Sequence, residues 1–317
     1  MKFFTKSFFL LLIIPALLVG PYFSFLSYKN TKADILIIET GDSVYKTLEN
    51  IFPLSVFDKY FLRLHFNIEN IKDIKAGEYL IINKTIEEII EDISNGNYLR
   101  RSIRIKEGSN LYDLEKDLSN HYLINDCSYL SCINTKTNKE GLLLPDTYYY
   151  FRGMKLSSIY DLSNEKLIKL IDKLWLKKPL DNPLKTKYDA LILASIIEKE
   201  AGNNDEKLLI SSVFLKRLEM DMRLQADPTI IYGLLPNFDG DIKKSDILDK
   251  KNLYNTYMKK GLPPSPIAFS SISSIEAAIL GAPGEFLFFV ADSPSSHYFS
   301  KTYEEHKEAI KRYGVDK

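Results

Sequence analysis

The sequence predicts an α+β fold: one N-terminal transmembrane helix, a small β-α region, then a mixed α/β domain. Three observations carry that reading. An uncharged apolar run extends from Ser7 to Tyr28, a strand-turn-helix phrase occurs twice between residues 35 and 118, and a helical pattern apolar nearly all round ends in "EKEAG". The 317 residues leave room for an anchor and about two domains of ordinary size. The expected division is 1–6 as a short cytoplasmic tail, 7–28 as the span, 29–139 as the membrane-proximal region and 140–317 as the second domain.

The N-terminal stretch "MKFFTKSFFLLLIIPALLVGPYFSFLSYKN" sets Lys2 and Lys6 before the apolar run. As a helix, the run is long enough to cross about 30 Å of hydrocarbon. No A-x-A-like site of small residues follows it, which favours an uncleaved anchor over a cleaved signal peptide. Lys29 and Lys32 put positive charge on the far flank as well, so loop charge alone does not fix the orientation. A short tail inside and the bulk outside is the default, with the second domain on the extracytoplasmic side of the cell (inner) membrane.

Beyond the anchor, Ile35 to Ile38 reads as a strand, Gly41 as a turn, and Asp42 and Ser43 as a helix start. In "SIRIKEGSNLYDLEKDL", Gly108, Ser109, Asn110 and Tyr112 align with Gly41, Asp42, Ser43 and Tyr45, a weak internal repeat. Between the copies, Tyr79 to Ile82 reads as a strand, Thr85 and Glu88 as a capping box, and Gly96 as a helix end. Such a module either binds a polymer or spaces the rest of the chain from the membrane. In "EGLLLPDTYYYFRG" the tyrosine run fits a buried strand or packing surface better than a sugar platform, since aromatic runs usually form core.

The second domain opens with an amphipathic helix around Glu165 to Lys177. Next comes the helix from Tyr188 to Glu200, expected to be central because it is apolar nearly all round and expected to end at Gly202. A helix from about Glu206 to Arg217, a short one near Ile275 to Leu280 and a strand from Glu285 to Asp292 complete it.

Glu198 and Glu200 lie two residues apart, about 200° around a helix, so they cannot share one site. Glu200 continues the face of Leu193 and Ile197 and sits at the helix C-terminus, where the dipole disfavours an anion and raises a carboxyl pKa, as a general acid needs. Glu198 is expected to be a structural partner, for example to an arginine of the next segment. The competing reading of Glu200 is a solvated or salt-bridged helix end. Downstream, "FLKRLEMDMRLQADPTIIYGL" and "LYNTYMKKGLPPSPIAFSS" gather Arg217, Gln225, Asp227, Tyr232 and Asn255 in loop-rich segments of the kind that grip polar ligands.

Lys plus Arg and Asp plus Glu both count 42, and no basic block suggests a nucleic-acid groove. Cys127 and Cys132 fit free thiols or one local bridge. Together with the scattered histidines His65, His121, His297 and His306 they form no metal-binding pattern, so neither metal nor cofactor is expected.

The ordered motifs "LASIIEKEAG", "SVFLKRL", "MRLQADPTIIYG", "YNTY", "GLPPSPI" and "FFVAD" resemble those of the MltG/YceG-like endolytic murein transglycosylase family. The N-terminal half is similar too, with an anchor, a LysM-like region around "KAGEYLI" and "LLPDTYYY" where the family has Pro-Asp-Thr. The resemblance spans nearly the whole chain. It implies cleavage of the MurNAc-β-1,4-GlcNAc bond within glycan strands to leave 1,6-anhydro-MurNAc ends. Glu200 would be the catalytic acid/base, with Gln225, Asp227, Tyr232, Asn255 and His297 contacting substrate or orienting the acid. Asp227 reads equally as a helix cap beside Pro228. Peptidoglycan strands and the membrane are the implied partners, together with peptidoglycan synthases of the elongation or division machinery. Two rivals stand beside this reading. One is a peptidoglycan hydrolase using Asp227 or Glu198 as a second carboxylate; the other is an anchored glycan-binding scaffold without catalysis.

Overall fold

The computed structural model describes residues 19–49, 51–118 and 122–314. The chain divides into two compact units: the residues up to Arg101 with Tyr149–Met154, and Ser102–Tyr148 with Lys155 onward. The sequence-based boundary after residue 139 thus differs from the division seen here. The segment 102–148 packs with the second unit because its apolar residues, Ile103, Ile105, Leu114 and Leu143 among them, are buried there.

In the first unit, residues 19–26 are helical. They are followed by β1 (Ile35–Ile38), α1 (Val44–Glu49), α2 (Val56–Ile68), β2 (Gly77–Leu80) and α3 (Ile86–Asn95). β1 and β2 pair antiparallel, Ile35 opposite Leu80 and Ile38 opposite Gly77. Leu36 and Ile38 alternate inward along β1 and meet Leu48, Leu62, Tyr79, Ile89, Ile90 and Ile93 in one apolar core. α3 starts at the expected capping box of Thr85 with Glu88 and ends at Gly96 in the left-handed conformation.

The expected span at 7–28 lies, as far as residue 18, outside the described residues. No helix among the described residues is long and apolar enough to cross a membrane. The last part of that stretch belongs to the first unit instead. Phe25 and Leu26 are buried in its core, Phe25 against Phe61, and Tyr22 is hydrogen-bonded to His65 at 2.9 Å. Apolar side chains so enclosed are not available to lipid.

From residue 101 the elements are β3 (Arg101–Ile105), α4 (Leu111–Asp117), β4 (Asp146–Tyr150), α5 (Leu156–Trp175), α6 (Lys187–Glu200), α7 (Lys207–Glu219), α8 (Asp227–Leu234), α9 (Lys244–Ile247), α10 (Ile272–Leu280), β5 (Phe288–Ser293), β6 (Ser296–Ser300) and α11 (Tyr303–Tyr313); all belong to the second unit except Arg101 at the start of β3 and Tyr149–Tyr150 at the end of β4. β3 pairs with β4, and β5 with β6 as an antiparallel hairpin. The repeat noted in sequence is visible as strand, glycine with positive φ (Gly41 at 93°, Gly108 at 70°) and helix, in β1 to α1 and β3 to α4. In β4, Tyr148 and Tyr150 are buried and Tyr149 is exposed, the alternation of a strand with one face in the core. Cys127 and Cys132 are joined by a disulfide, the local-bridge alternative.

α6 is the centre of the second unit. Every residue from Ala190 to Ile197 is buried, and α7 and α10 pack against it. It begins at a capping box of Thr186 with Asp189. It ends at Glu200, one residue before Ala201 turns the chain extended. Gly202 is not itself a left-handed cap. A Cβ there would meet the backbone of Ser295 at 2.8 Å, so glycine lets the β5–β6 turn close onto the end of α6. Asn203 Nδ2 donates to Ser295 O at 2.6 Å and fixes that approach. α5 begins nine residues earlier than the sequence suggests.

Candidate active site

The close approach at Gly202 brings β5, β6 and α11 over the C-terminus of α6, and the gap between them is a polar cleft of about 370 Å³. Its lining includes Glu200 from α6, Arg217 from α7, Gln225 and Asp227 at the start of α8, Tyr257 from the following loop, His297 from β6 and His306 from α11.

Glu200 has no hydrogen-bond partner among the described residues, although protein surrounds its carboxyl except toward the cleft. Burial raises its pKa, the negative charge of Asp227 raises it further, and the Arg217 guanidinium opposes both; the result is about 8. Burial and a neighbouring charge therefore supply the shift assigned in sequence to the helix dipole. Arg217 is buried yet forms no ion pair among the described residues. Its Nε donates to Leu287 O at 2.8 Å and its Nη1 to Leu224 O at 2.5 Å, and the guanidinium lies over the Phe288 ring. It acts on Glu200 only through its charge.

Glu198 faces the other way. Its carboxylate accepts from Lys207 Nζ at 3.1 Å, from Ser271 N at 3.0 Å and from the hydroxyls of Ser271 and Ser274. Burial alone would raise its pKa, but these donors outweigh it and hold the group below the ordinary glutamate value. Glu198 is thus a structural partner, to a lysine rather than an arginine.

Asp227 is exposed, and Tyr257 Oη donates to it at 2.7 Å. Beside it, Gln225 is exposed with φ of +51°, a left-handed conformation that turns the chain into α8. His297 is held from α7: its backbone N–H donates to Glu206 Oε1 at 2.7 Å, and Nδ1 lies 2.9 Å from Oε2. Glu206 is the N-cap residue of α7, consistent with its reading as a helix-start residue.

Two expected substrate residues do not line the cleft. Tyr232 turns away, donates to Glu140 Oε2 at 2.9 Å and packs edge-on against Tyr254. Asn255 is fully buried: its Nδ2 donates to the carbonyls of Asp246, Ile247 and Asp249, and its Oδ1 accepts from Tyr257 N at 3.0 Å. A side chain with every polar atom so engaged braces the loop that presents Tyr257.

Sequence reasoning missed His306 and Glu140, and it placed Tyr257 in a ligand-gripping loop without giving it a role. His306 stacks on Phe288 at 5.1 Å, its buried Nδ1 has no partner among the described residues, and burial together with the Arg217 charge lowers its pKa. Glu140 is fully buried, and its pKa is pushed up by burial to about 7 despite hydrogen bonds from Leu111 N, Tyr232 Oη and Gly141 N. Nothing local in the sequence marks either, because both depend on contacts distant in sequence. Among the described residues, no group of three or more His, Cys, Asp or Glu side chains could hold a metal ion.

Fold and cleft together define a two-unit α+β protein whose central helix ends in a carboxyl without a hydrogen-bond partner among the described residues. The chain belongs to the YceG-like family, whose family model matches residues 36–312. Among curated relatives it is 34% identical over 186 residues to the endolytic murein transglycosylase of Bacillus subtilis (strain 168), covering 57% of this chain and 49% of that one. It is 30% identical over 175 residues to the protein of the same name from Streptococcus pneumoniae serotype 2 (strain D39), covering 53% and 31%. The chain therefore spans half the length of these relatives or less. The crystal structure at 2.6 Å of a putative YceG-like protein from Listeria monocytogenes is similar with a TM-score of 0.53 and 26% identity, over 86% of this chain and 97% of that one.

Proposed function

We propose that the protein is a membrane-anchored endolytic murein transglycosylase in which Glu200 is both acid and base. The observation that carries this reading is a carboxyl with pKa raised to about 8, left without a hydrogen-bond partner at the floor of a polar cleft. The names of the relatives supply the substrate class.

In this mechanism Glu200 holds a proton at neutral pH. It gives that proton to the glycosidic oxygen as the C1–O4 bond breaks. The carboxylate so formed takes the proton of the muramic acid C6 hydroxyl, whose oxygen closes on C1. A 1,6-anhydro end and a free 4-hydroxyl result, and no water is consumed. One carboxyl suffices because the nucleophile belongs to the substrate, so proximity supplies much of the rate. Gln225, Asp227, Tyr257 and His297, which line the cleft, are read as the groups that grip the sugar. His306, with its open Nδ1, is a further group available to a hydroxyl in the cleft. The first unit, with strand, two helices and strand in order and its strands antiparallel, is read as the LysM-like module that holds glycan near the membrane. The uncharged run from Ser7 is read as the anchor, with peptidoglycan synthases as the implied neighbours.

A second reading has a specific observation behind it: Asp227 lines the same cleft as Glu200, so the pair could serve a hydrolase. Glu198, engaged with Lys207 and two serines, is not available for that role. Mass spectrometry of muropeptides released from purified peptidoglycan separates the readings. Internal fragments one water lighter than reducing-end products, absent with Glu200→Gln, are expected. Reducing ends would transfer the proposal to the hydrolase, and the absence of any product from a folded, glycan-binding protein would transfer it to the scaffold.

A further inference from the structure

α2 is apolar on two faces. Phe61, Leu62 and His65 point into the core, while Phe57, Tyr60, Leu64 and Ile68, spaced i, i+3, i+7 and i+11, form a second stripe turned to solvent, with Phe57 73% exposed and Tyr60 62% exposed. A continuous exposed stripe of this kind marks a contact surface. Its N-terminal end borders an apolar groove of about 600 Å³ between α2 and the helical residues 19–26, lined by Pro21, Ser24, Phe25, Phe57 and Phe61. On the same short helix Val19 and Phe23 are also exposed.

The helix 19–26 continues directly from the uncharged run that begins after Lys6. Were 7–20 helical, as the anchor reading expects, they would rise about 21 Å, short of the roughly 30 Å of hydrocarbon by about six residues. Those six would run to Leu26, but Phe25 and Leu26 are enclosed in the core of the first unit. The deficit is met if the bilayer surface reaches the first unit itself, at the level of residues 20–24. That level is also where Phe57 and the groove lie.

We propose that the first unit carries a bilayer-binding face made of Phe23, Phe57, Tyr60 and the adjoining groove, which enters the headgroup and upper acyl region beside the anchor. Aromatic side chains favour that layer, and the exposed Lys29 and Lys32 that follow the helical residues suit anionic headgroups. The anchor then ends in a seat on the membrane rather than a free tether. The inference rests on the anchor reading above.

The test places full-length protein in nanodiscs of phosphatidylethanolamine and phosphatidylglycerol, with and without brominated acyl chains. Single-tryptophan variants Phe57→Trp and Tyr60→Trp are made in a Trp175→Phe background. Asn95→Trp, exposed at the far end of α3, is the control. Brominated lipid is expected to quench Trp at 57 and 60 at least about twofold and to leave Trp at 95 unchanged, as for side chains buried at the acyl boundary. Protein that co-elutes with the discs but shows equal, weak quenching at all three positions overturns the face and keeps the anchor. Shielding from aqueous quencher that grows with copies per disc, without lipid quenching, assigns the face to a second copy and also overturns it. Protein that fails to co-elute with discs removes the anchor, and the face with it.

Discussion

Glu198 and Glu200 are separated by one lysine on one helix, yet their surroundings are opposite. Around Glu198 a lysine, two serine hydroxyls and a backbone N–H converge on one carboxylate. Around Glu200 hydrogen-bond donors are withheld, and a carboxylate stands nearby instead. Donors stabilise the charged form and hold a pKa down; their absence, with burial, stabilises the protonated form and raises it. The difference teaches that in this fold an acid is made by what the protein omits around a side chain. The group with many partners is a fastener.

If Glu198 is a fastener, Glu198→Ala leaves the Lys207 ammonium buried without a counterion, and unfolding free energy falls by about 3–5 kcal/mol. Adding Lys207→Met restores part of the loss. Urea denaturation followed by circular dichroism measures both, and an unchanged midpoint for Glu198→Ala would break the comparison. Asn255→Ala frees three loop carbonyls and costs about 2–4 kcal/mol in the same assay, from three hydrogen bonds at ordinary net strength.

Smaller effects sharpen the Glu200 side. Tyr232→Phe removes the hydroxyl donor to Glu140 and costs about 1–2 kcal/mol. Because Tyr232 is outside the cleft, cleavage per folded molecule stays unchanged; a large loss of kcat with stability intact would return it to the substrate site. Glu140 and Glu200 both have folded-state pKa values raised above the ordinary glutamate value, to about 7 and about 8. Folding therefore favours their protonated forms. Their contribution to stability is full below the unfolded pKa and is lost as pH rises through 7 and 8. Tm should accordingly decline from pH 5 to pH 9, and Glu200→Gln, a neutral isostere, should flatten the upper part of that decline. Asp227→Asn removes the repelling charge beside Glu200, so the alkaline limb of the rate–pH profile should move to lower pH. A limb that stays in place would show that the limb is not set by Glu200 beside Asp227.

Much of this arrangement was legible from residues alone. The pattern from Tyr188 to Glu200, apolar nearly all round, implied the central place of α6, and the geometry of a helix separated Glu198 from Glu200. Thr85 with Glu88 gave the start of α3. Asn255 and Tyr232 lie in polar, loop-rich segments of the kind that grip ligands. Here each is consumed by partners that sequence cannot show, three loop carbonyls in one case and a buried glutamate far along the chain in the other. His306 enters the sequence reading only as one of four scattered histidines, and the packing of α11 on β5 carries it to the cleft.

The central claim is tested most directly by measuring glycan cleavage by Glu200→Gln and Glu198→Gln at equal concentrations of folded protein. The account predicts that Glu200→Gln loses at least about 10³-fold while Glu198→Gln stays within about tenfold of the parent, the former being the scale of general acid–base catalysis. Equal losses in the two variants, or cleavage that survives Glu200→Gln, would contradict it.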